Sequence, residues 1–325
     1  MPEFTDGDLK VHLERGETWI ENFVDRHRRH EKPHGQVKLL WSNLLGLALV
    51  AEALSEDDER PIDLVVAGAS PGIHMPVLLK HVRETEFGRR LRIHLYDPQP
   101  LDATFQALVD ADESMSFEPR PFTDEDAGHW KNSKNESCVV FFSDIRSRIH
   151  EKHEHMRADE VKIAHDMQAQ KRWVQIMQPD YCMLKFHAPH ATKDNSKVQK
   201  SFAYLSGGFY EQAYVGLFSA EYRLFCTQKD IAKDHEYSTA AIEQHAFWHT
   251  KHTRPSTFSV NGRHMRYDEA FAAHVAHRAA EALGVDAQAL LHDAGSVGHV
   301  PHMHFPRHAP SRRLRNLHLR MLQIL

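Results

Sequence analysis

Apolar residues in this chain gather into short blocks separated by charged stretches, and the spacing inside each block fixes what it can form. Residues 1–33 are polar and charge-rich, with Trp19, Ile20, Phe23 and Val24 on one helical face. That spacing predicts a short amphipathic helix, ended by Pro33 and Gly35. The run QVKLLWSNLLGLALVAEAL, residues 36–54, is apolar around most of its circumference. It predicts a buried helix of about five turns. Ser55 to Arg60 reads as a charged loop.

Four later blocks are short and almost continuously apolar: IDLVVAG (62–68), LRIHLYD (91–97), CVVFFSD (138–144) and YCMLKFH (181–187). Such runs predict strands covered on both faces. Helical spacing intervenes at His74–Val82 and at Glu160–Met177. The alternation predicts βαβα units and a doubly wound, mostly parallel α/β sheet. SFAYLSG and FSAEYRLFC predict further strands that include an antiparallel edge. Residues 238–325 read as helical, with loops near 252–264 and 293–311. The expected organisation is an N-terminal arm (1–33), an α/β domain (34–235) and a helical C-terminal extension (236–325) packed on the same domain. No repeat or low-complexity linker interrupts it.

Composition changes the picture in three places. With 41% hydrophobic and 26% charged residues among 325, a packed core is expected. No apolar run approaches the roughly 18 residues a bilayer span requires, and the start MPEFTDGDLK lacks an apolar leader core. A cytoplasmic protein without a membrane partner is therefore expected. The three cysteines, Cys138, Cys182 and Cys226, sit far apart in apolar runs and are expected to be reduced core residues. The formal net charge of −5 argues against nucleic-acid binding by bulk charge, so any such contact needs a local basic patch. After Asp293 there is no further acid, while Arg307, Arg312, Arg313, Arg315 and Arg320 follow. That tail reads either as such a patch or as a solvated helix. The histidine groups 150/153/155 and 299/302/304/308 have no nearby cysteine, so no metal is expected there.

The chemistry-bearing residues gather at strand ends. Gly68-Ala69-Ser70-Pro71-Gly72 follows the first strand, where glycines let backbone approach a ligand and a helix N-terminus supplies N–H donors. Ser70 breaks the dinucleotide fingerprint, so the loop alone is equally a tight turn. Asp97 ends the second strand, where an acid accepts hydrogen bonds from ribose hydroxyls in doubly wound nucleotide sites. A turn-capping role is the plainer alternative. Asp144 ends the third block. Lys185 and Glu221 are lone charges inside apolar strands, and Lys38 opens the first long helix. Each alone is more often a structural ion pair. Two lysines and two acids feeding one sheet edge point instead to a functional site.

Lys38, Asp144, Lys185 and Glu221, in this order around a glycine loop, form the K-D-K-E pattern of RNA 2′-O-methyltransferases. With HGQVKLL, AGASPGIHM, FSDIRSR, MLKFHAP and SAEYRLF, residues 34–228 resemble the poxvirus-type cap-specific mRNA 2′-O-methyltransferases, which also serve as stimulatory subunits of poly(A) polymerase. The resemblance implies a Rossmann-like methyltransferase fold, S-adenosylmethionine as cofactor, and the capped 5′ end of mRNA as substrate. It also implies a poly(A) polymerase catalytic subunit as partner and, for a viral protein, the host cytoplasm or the virion. By position it assigns the catalytic tetrad to Lys38, Asp144, Lys185 and Glu221. Cofactor contacts fall on Gln36, Gly68, Ser70, Pro71, Gly72, His74, Asp97, Asp144, Arg146 and the backbone near Phe122 and Thr123. Two departures stand out. Pro98-Gln99 replaces the usual Gly and basic residue. His190 and Thr192 occupy the places where the family stacks and charges the methylated cap guanine. A lysine needs burial and a neighbouring cation to act as a base near neutrality. Lys185 is thus the expected base, with Lys38 as the neighbouring charge and Asp144 and Glu221 holding both. A non-catalytic stimulatory subunit, a methyltransferase of uncapped RNA and a small-molecule methyltransferase are the competing readings.

Overall fold

Short apolar runs bounded by loops pair side by side, since only then are their buried backbone groups satisfied. The computed structural model describes residues 35–55, 57–147, 160–187, 201–215, 221–260 and 263–297. The helix around Trp19, the two histidine groups, His190, Thr192 and the arginines from Arg307 onward lie outside the described residues.

Helix α1 (Gly35–Ala53) leads into β1 (Ile62–Ala67), α2 (Met75–Val82), β2 (Leu91–Tyr96), α3 (Ala103–Ala111), β3 (Met115–Glu118), α4 (Asp124–Ser133), β4 (Cys138–Ser143), α5 (Glu160–Met177) and β5 (Tyr181–His187). Then come β6 (Ser201–Leu205), β7 (Gly208–Tyr210), β8 (Glu221–Thr227), β9 (Asp234–Ser238) and α6 (Thr239–Trp248), the last continued by a π-helical turn, His249–Thr253. A hairpin, β10 (Thr257–Val260) and β11 (Arg263–Arg266), precedes α7 (Tyr267–Leu283) and α8 (Ala287–Ala294). Seven strands form the central sheet in the order β3-β2-β1-β4-β5-β8-β7. The first five are parallel; β8 runs antiparallel to both β5 and β7. The fold is therefore a doubly wound α/β sheet with one reversed strand, as a Rossmann-like methyltransferase fold requires.

Register aligns the strand ends. Ala67 pairs with Tyr96 on one side and Ser143 on the other, and Ser143 pairs with Leu184. Strand order reverses between β1 and β4, which makes the carboxyl edge there the crevice where such sheets bind ligands. Because β8 is reversed, its first residue, Glu221, pairs with His187 at the same edge, and Lys185 pairs with Arg223. Each sheet face is covered. Leu40, Trp41, Leu44, Val275 and Leu290 belong to the core on one side, and Phe122, Phe141, Trp173 and Phe186 to that on the other. Cys138, Cys182 and Cys226 are free and buried within these cores.

Three expectations about elements are corrected. From sequence no element is assigned to residues 98–137, which hold α3, β3 and α4. The antiparallel β8 is not the edge strand, since β7 lies outside it, and SFAYL leaves the main sheet to pair with β9. The loop expected near 252–264 is largely the hairpin of β10 and β11. Asn261-Gly262 between Phe258-Ser259-Val260 and Arg263-His264-Met265 is the dipeptide hairpins favour, and it outweighs the helical spacing on either side.

Candidate catalytic and cofactor site

Chain order brings charged side chains from four elements to the carboxyl edge. Lys38 lies one turn into α1. Asp144 follows β4, Lys185 sits within β5, and Glu221 and Arg223 occupy alternate positions of β8, which share one face of the sheet. Lys38 Nζ is 2.5 Å from Glu221 Oε1. Lys185 Nζ is 3.1 Å from Asp144 Oδ1 and 3.4 Å from Glu221 Oε2. The four residues of the K-D-K-E pattern thus meet in one ion network. Arg146 joins it at Glu221 Oε2, 2.7 Å away, so its guanidinium lies on the tetrad.

Lys185 is 8% exposed. Burial pulls its proton affinity down, Asp144 and Glu221 pull it up, and Lys38 and Arg146 push it down again; the balance lies below the ordinary lysine range. Burial drives the Asp144 and Glu221 carboxyls upward, but Lys185 foremost, then Arg223 and Lys38, outweigh it and hold both well below the usual carboxylate range. Four cationic side chains therefore face two carboxylates. With all ionised, two positive charges are in excess, and loss of one proton from Lys185 halves that surplus.

Sequence reasoning missed Arg223, Gln212 and Asn43. Arg223 donates from Nη2 to Asp144 Oδ1 at 2.6 Å and from Nη1 to Ser143 O at 3.2 Å. It therefore shares Asp144 with Lys185. Its signal was available, as a second charge two residues after Glu221 in an apolar strand.

The glycine loop forms the other half of the site. Gly68 has φ +88° and Gly72 φ +69°, the left-handed region. A Cβ on Gly68 would lie 2.9 Å from the Asp144 carbonyl carbon, and one on Gly72 would lie 2.4 Å from Phe105 Cδ1. Asp97 Oδ2 accepts from Ser70 N at 3.0 Å and Oδ1 from Gln99 N at 2.8 Å. The acid thus ties the loop to the end of β2 and keeps lone pairs on both oxygens. Ser70 Oγ donates to Pro100 O at 2.7 Å, and Pro71 O accepts from Asp102 N at 2.8 Å.

His74 links loop and helix. Its Nδ1 is 2.9 Å from Gln36 Oε1, and its Nε2 is 2.9 Å from Asn43 Nδ2. Burial drives its pKa down to about 3, so it is neutral at working pH. An amide nitrogen can only donate, so Nε2 is the acceptor and Nδ1 carries the proton given to Gln36. Gln36 thereby keeps its Nε2 hydrogens for a ligand. Between helix and loop lies a narrow cleft, lined by Asn43, Gly68, Ala69, His74, Asp144 and Arg223 among others. Phe122 and Thr123 contribute no side chain there. The Phe122 ring packs on Tyr96, Trp173 and Phe141, and Thr123 Oγ1 caps α4. Among the described residues no group of three His, Cys, Asp or Glu is arranged for a metal ion.

On the other side of β8 lies a second buried network. Glu211 Oε2 accepts from Tyr267 Oη at 2.6 Å, and its Oε1 is 2.8 Å from His249 Nδ1 and 3.4 Å from His245 Nε2.

A family model described as the poly A polymerase regulatory subunit matches residues 12–268, more than half of the chain. No curated protein sequence matches it. Among solved structures, bluetongue virus VP4, described as a multifunctional RNA-capping production line, is similar at 13% identity and a TM-score of 0.45. That likeness covers 64% of this chain and 30% of the other, so the chain spans under a third of that protein.

Proposed function

The chain belongs to the family of poly(A) polymerase regulatory subunits, and from that premise we propose that it is an S-adenosylmethionine-dependent methyltransferase of RNA ribose 2′-hydroxyls, acting at the 5′ cap-proximal nucleotide of mRNA. The observation that carries this reading is Lys185, a buried lysine with lowered proton affinity, held between Asp144 and Glu221 beside a glycine loop. A cluster built only for stability would not need a surplus of cations around a buried lysine.

The residues fit the cofactor. Gly68 and Gly72 leave backbone uncovered at both ends of the loop, Asp97 retains acceptors for ribose hydroxyls, and Gln36 retains donors for a carboxylate. S-adenosylmethionine supplies, when bound, a methyl group activated by positively charged sulfur. Lys185 Nζ in its neutral form accepts the proton of the 2′-hydroxyl and orients its oxygen. Lys38 and Arg146 favour that neutral form, and both are anchored by Glu221. Arg223 keeps part of the Asp144 charge away from Lys185. The division into an arm (1–33), a methyltransferase domain (34–235) and an extension (236–325) belongs to the same proposal. In the described part of that extension, α7 pairs with α1 through Arg278 and Glu52, and α8 with α2 through Asp293 and Lys80.

Incubation with methyl-labelled cofactor and either capped or uncapped RNA tests the reading. Label is expected on a ribose, in a dinucleotide that resists alkaline hydrolysis, and on capped RNA in preference to uncapped. Transfer to uncapped RNA alone would move the substrate away from the cap. Absence of transfer to any RNA would leave the second reading, which the family's description favours: an RNA-binding stimulatory subunit of a poly(A) polymerase catalytic subunit. No helix of the described residues is long and apolar enough to cross a membrane.

A further inference from the structure

Gln212 lies just after β7 and is 2% exposed. Its amide is used in full. Oε1 accepts from Arg223 Nε at 2.9 Å and from Ser42 Oγ at 3.2 Å. Nε2 donates to Glu221 O at 3.0 Å and to Glu221 Oε1 at 3.2 Å. An amide offers one oxygen with two lone pairs and two N–H donors, so these four contacts exhaust it. Its orientation is also fixed. Turned over, the NH₂ would face the Arg223 donor and the oxygen would face the Glu221 carboxylate. Ser42, whose single hydroxyl hydrogen is shared between Lys38 O at 2.9 Å and Gln212 Oε1 at 3.2 Å, ties the same amide to α1.

Arg223 and Lys185 compete for one oxygen, Asp144 Oδ1, at 2.6 Å and 3.1 Å. Whatever holds Arg223 on that oxygen limits how well Lys185 pairs with it. We propose that Gln212 is a positioning residue: its amide locks Arg223 onto Asp144 and Glu221 onto Lys38, and so keeps Lys185 from being fully paired and able to take a proton. The role rests on the methyltransferase reading for its purpose, though not for its detection. The charged and titratable groups facing Lys185 are Asp144 and Arg146 after β4, Glu221 and Arg223 on β8, Lys38 on α1, His187 on its own strand and His74 across the cleft. Gln170 on α5 bonds only the Lys185 backbone. Gln212 carries no charge and does not touch Lys185 directly, so a change at 212 reaches that lysine through Arg223 and Glu221.

The test uses the full chain with ¹³C-labelled lysine side chains, titrated by NMR, together with the pH profile of methyl transfer. Gln212→Glu keeps the acceptor for Arg223 but draws it off Asp144 and repels Glu221. Its Lys185 midpoint is expected to rise by about one pH unit, a tenfold change in proton affinity. The acid limb of kcat is expected to move by the same amount, with KM for the cofactor unchanged. Gln212→Met, similar in volume and without the amide, is expected to move both in the same direction by less. Should the glutamate variant not fold, the methionine variant carries the test. A Lys185 midpoint unchanged within 0.2 pH units in the folded variants, or activity lowered equally at every pH, overturns the positioning role (about 0.2 units is the resolution that separates it from a one-unit shift). A wild-type protein that transfers no methyl group overturns the methyltransferase reading instead, and the NMR titration still decides the role of Gln212.

Discussion

Lys185 is a residue whose replacement separates charge from proton transfer. Arginine keeps the positive charge but does not deprotonate at any working pH, while alanine removes both. If Lys185 acts as base, Lys185→Arg and Lys185→Ala should both lose activity by about 10²–10⁴-fold, the usual contribution of a positioned acid or base. Calorimetry should find their cofactor affinity close to wild type, because neither change touches the glycine loop. An active arginine variant would reduce Lys185 to an electrostatic anchor. Asp97 separates the two half-sites in the opposite direction. Its carboxylate braces Ser70 and, in the proposed reading, offers lone pairs to a ribose. Asp97→Ala is expected to weaken cofactor binding at least tenfold, in line with about 1–3 kcal/mol for a lost buried partner, and to leave RNA affinity unchanged. Equal cofactor affinity in the two proteins would remove Asp97 from the site.

At the scale of elements, the turn after β1 is the least tolerant piece of the site. Gly72 combines a left-handed φ with a side-chain ring 2.4 Å from where its Cβ would stand. Gly72→Ala should therefore shift the loop, lower thermal stability by about 1–3 kcal/mol through strain and abolish cofactor binding. The double variant Gly72→Ala/Phe105→Ala should recover some stability and little binding, because the φ constraint remains. Full recovery of binding would locate the whole cost in the ring contact. The same elements show why parts of the chain were readable in advance. β1, β2, β4 and β5 are continuous apolar runs because both sheet faces are covered, and α5 was read to its last residue from spacing alone. The tetrad was readable because a charge in an apolar strand has few explanations. β3, a four-residue strand of mixed burial, has no such contrast. Arg223 hid behind Glu221, and Gln212 and Asn43 are uncharged polar residues whose importance comes from partners far away in sequence. Phe122 and Thr123 were assigned by resemblance through their backbone, while their side chains serve the core and a helix cap.

For the molecule as a whole, buried histidines and buried acids make acid the direction of instability. His74 ionises at about 3 in the folded chain, against 6.5 ordinarily. The unfolded chain binds its proton first, so this stability is complete above pH 6.5 and is lost as pH falls through that window. Burial also lowers His245, which acts in the same sense. Burial pushes the Glu211 carboxyl up, but His249 and His245 outweigh it and hold it at about 2, so its contribution is present above 4.5 and lost below. The free energy of unfolding should be flat between pH 7 and 8 and fall steadily below 6.5, by up to about 1.4 kcal/mol per pH unit for each buried histidine, with melting temperature following it. In His74→Gln that decline should be shallower between 6.5 and 4.5; parallel declines would show that His74 is not the sensor. The reversed strand β8 has a consequence in time as well as in space. Lys38 and Glu221 are 183 residues apart. A ribosome adding roughly 5–20 residues per second completes Lys38 about 9–37 s before it reaches Glu221. In that interval the five parallel strands are made; Lys38 lacks Glu221 for all of it, and Lys185, 36 residues before Glu221, for its last 2–7 s at about 5–20 residues per second. The ion network is thus the last thing synthesis delivers to this sheet, and a chain halted before residue 221 has the scaffold without the carboxylate that joins both lysines.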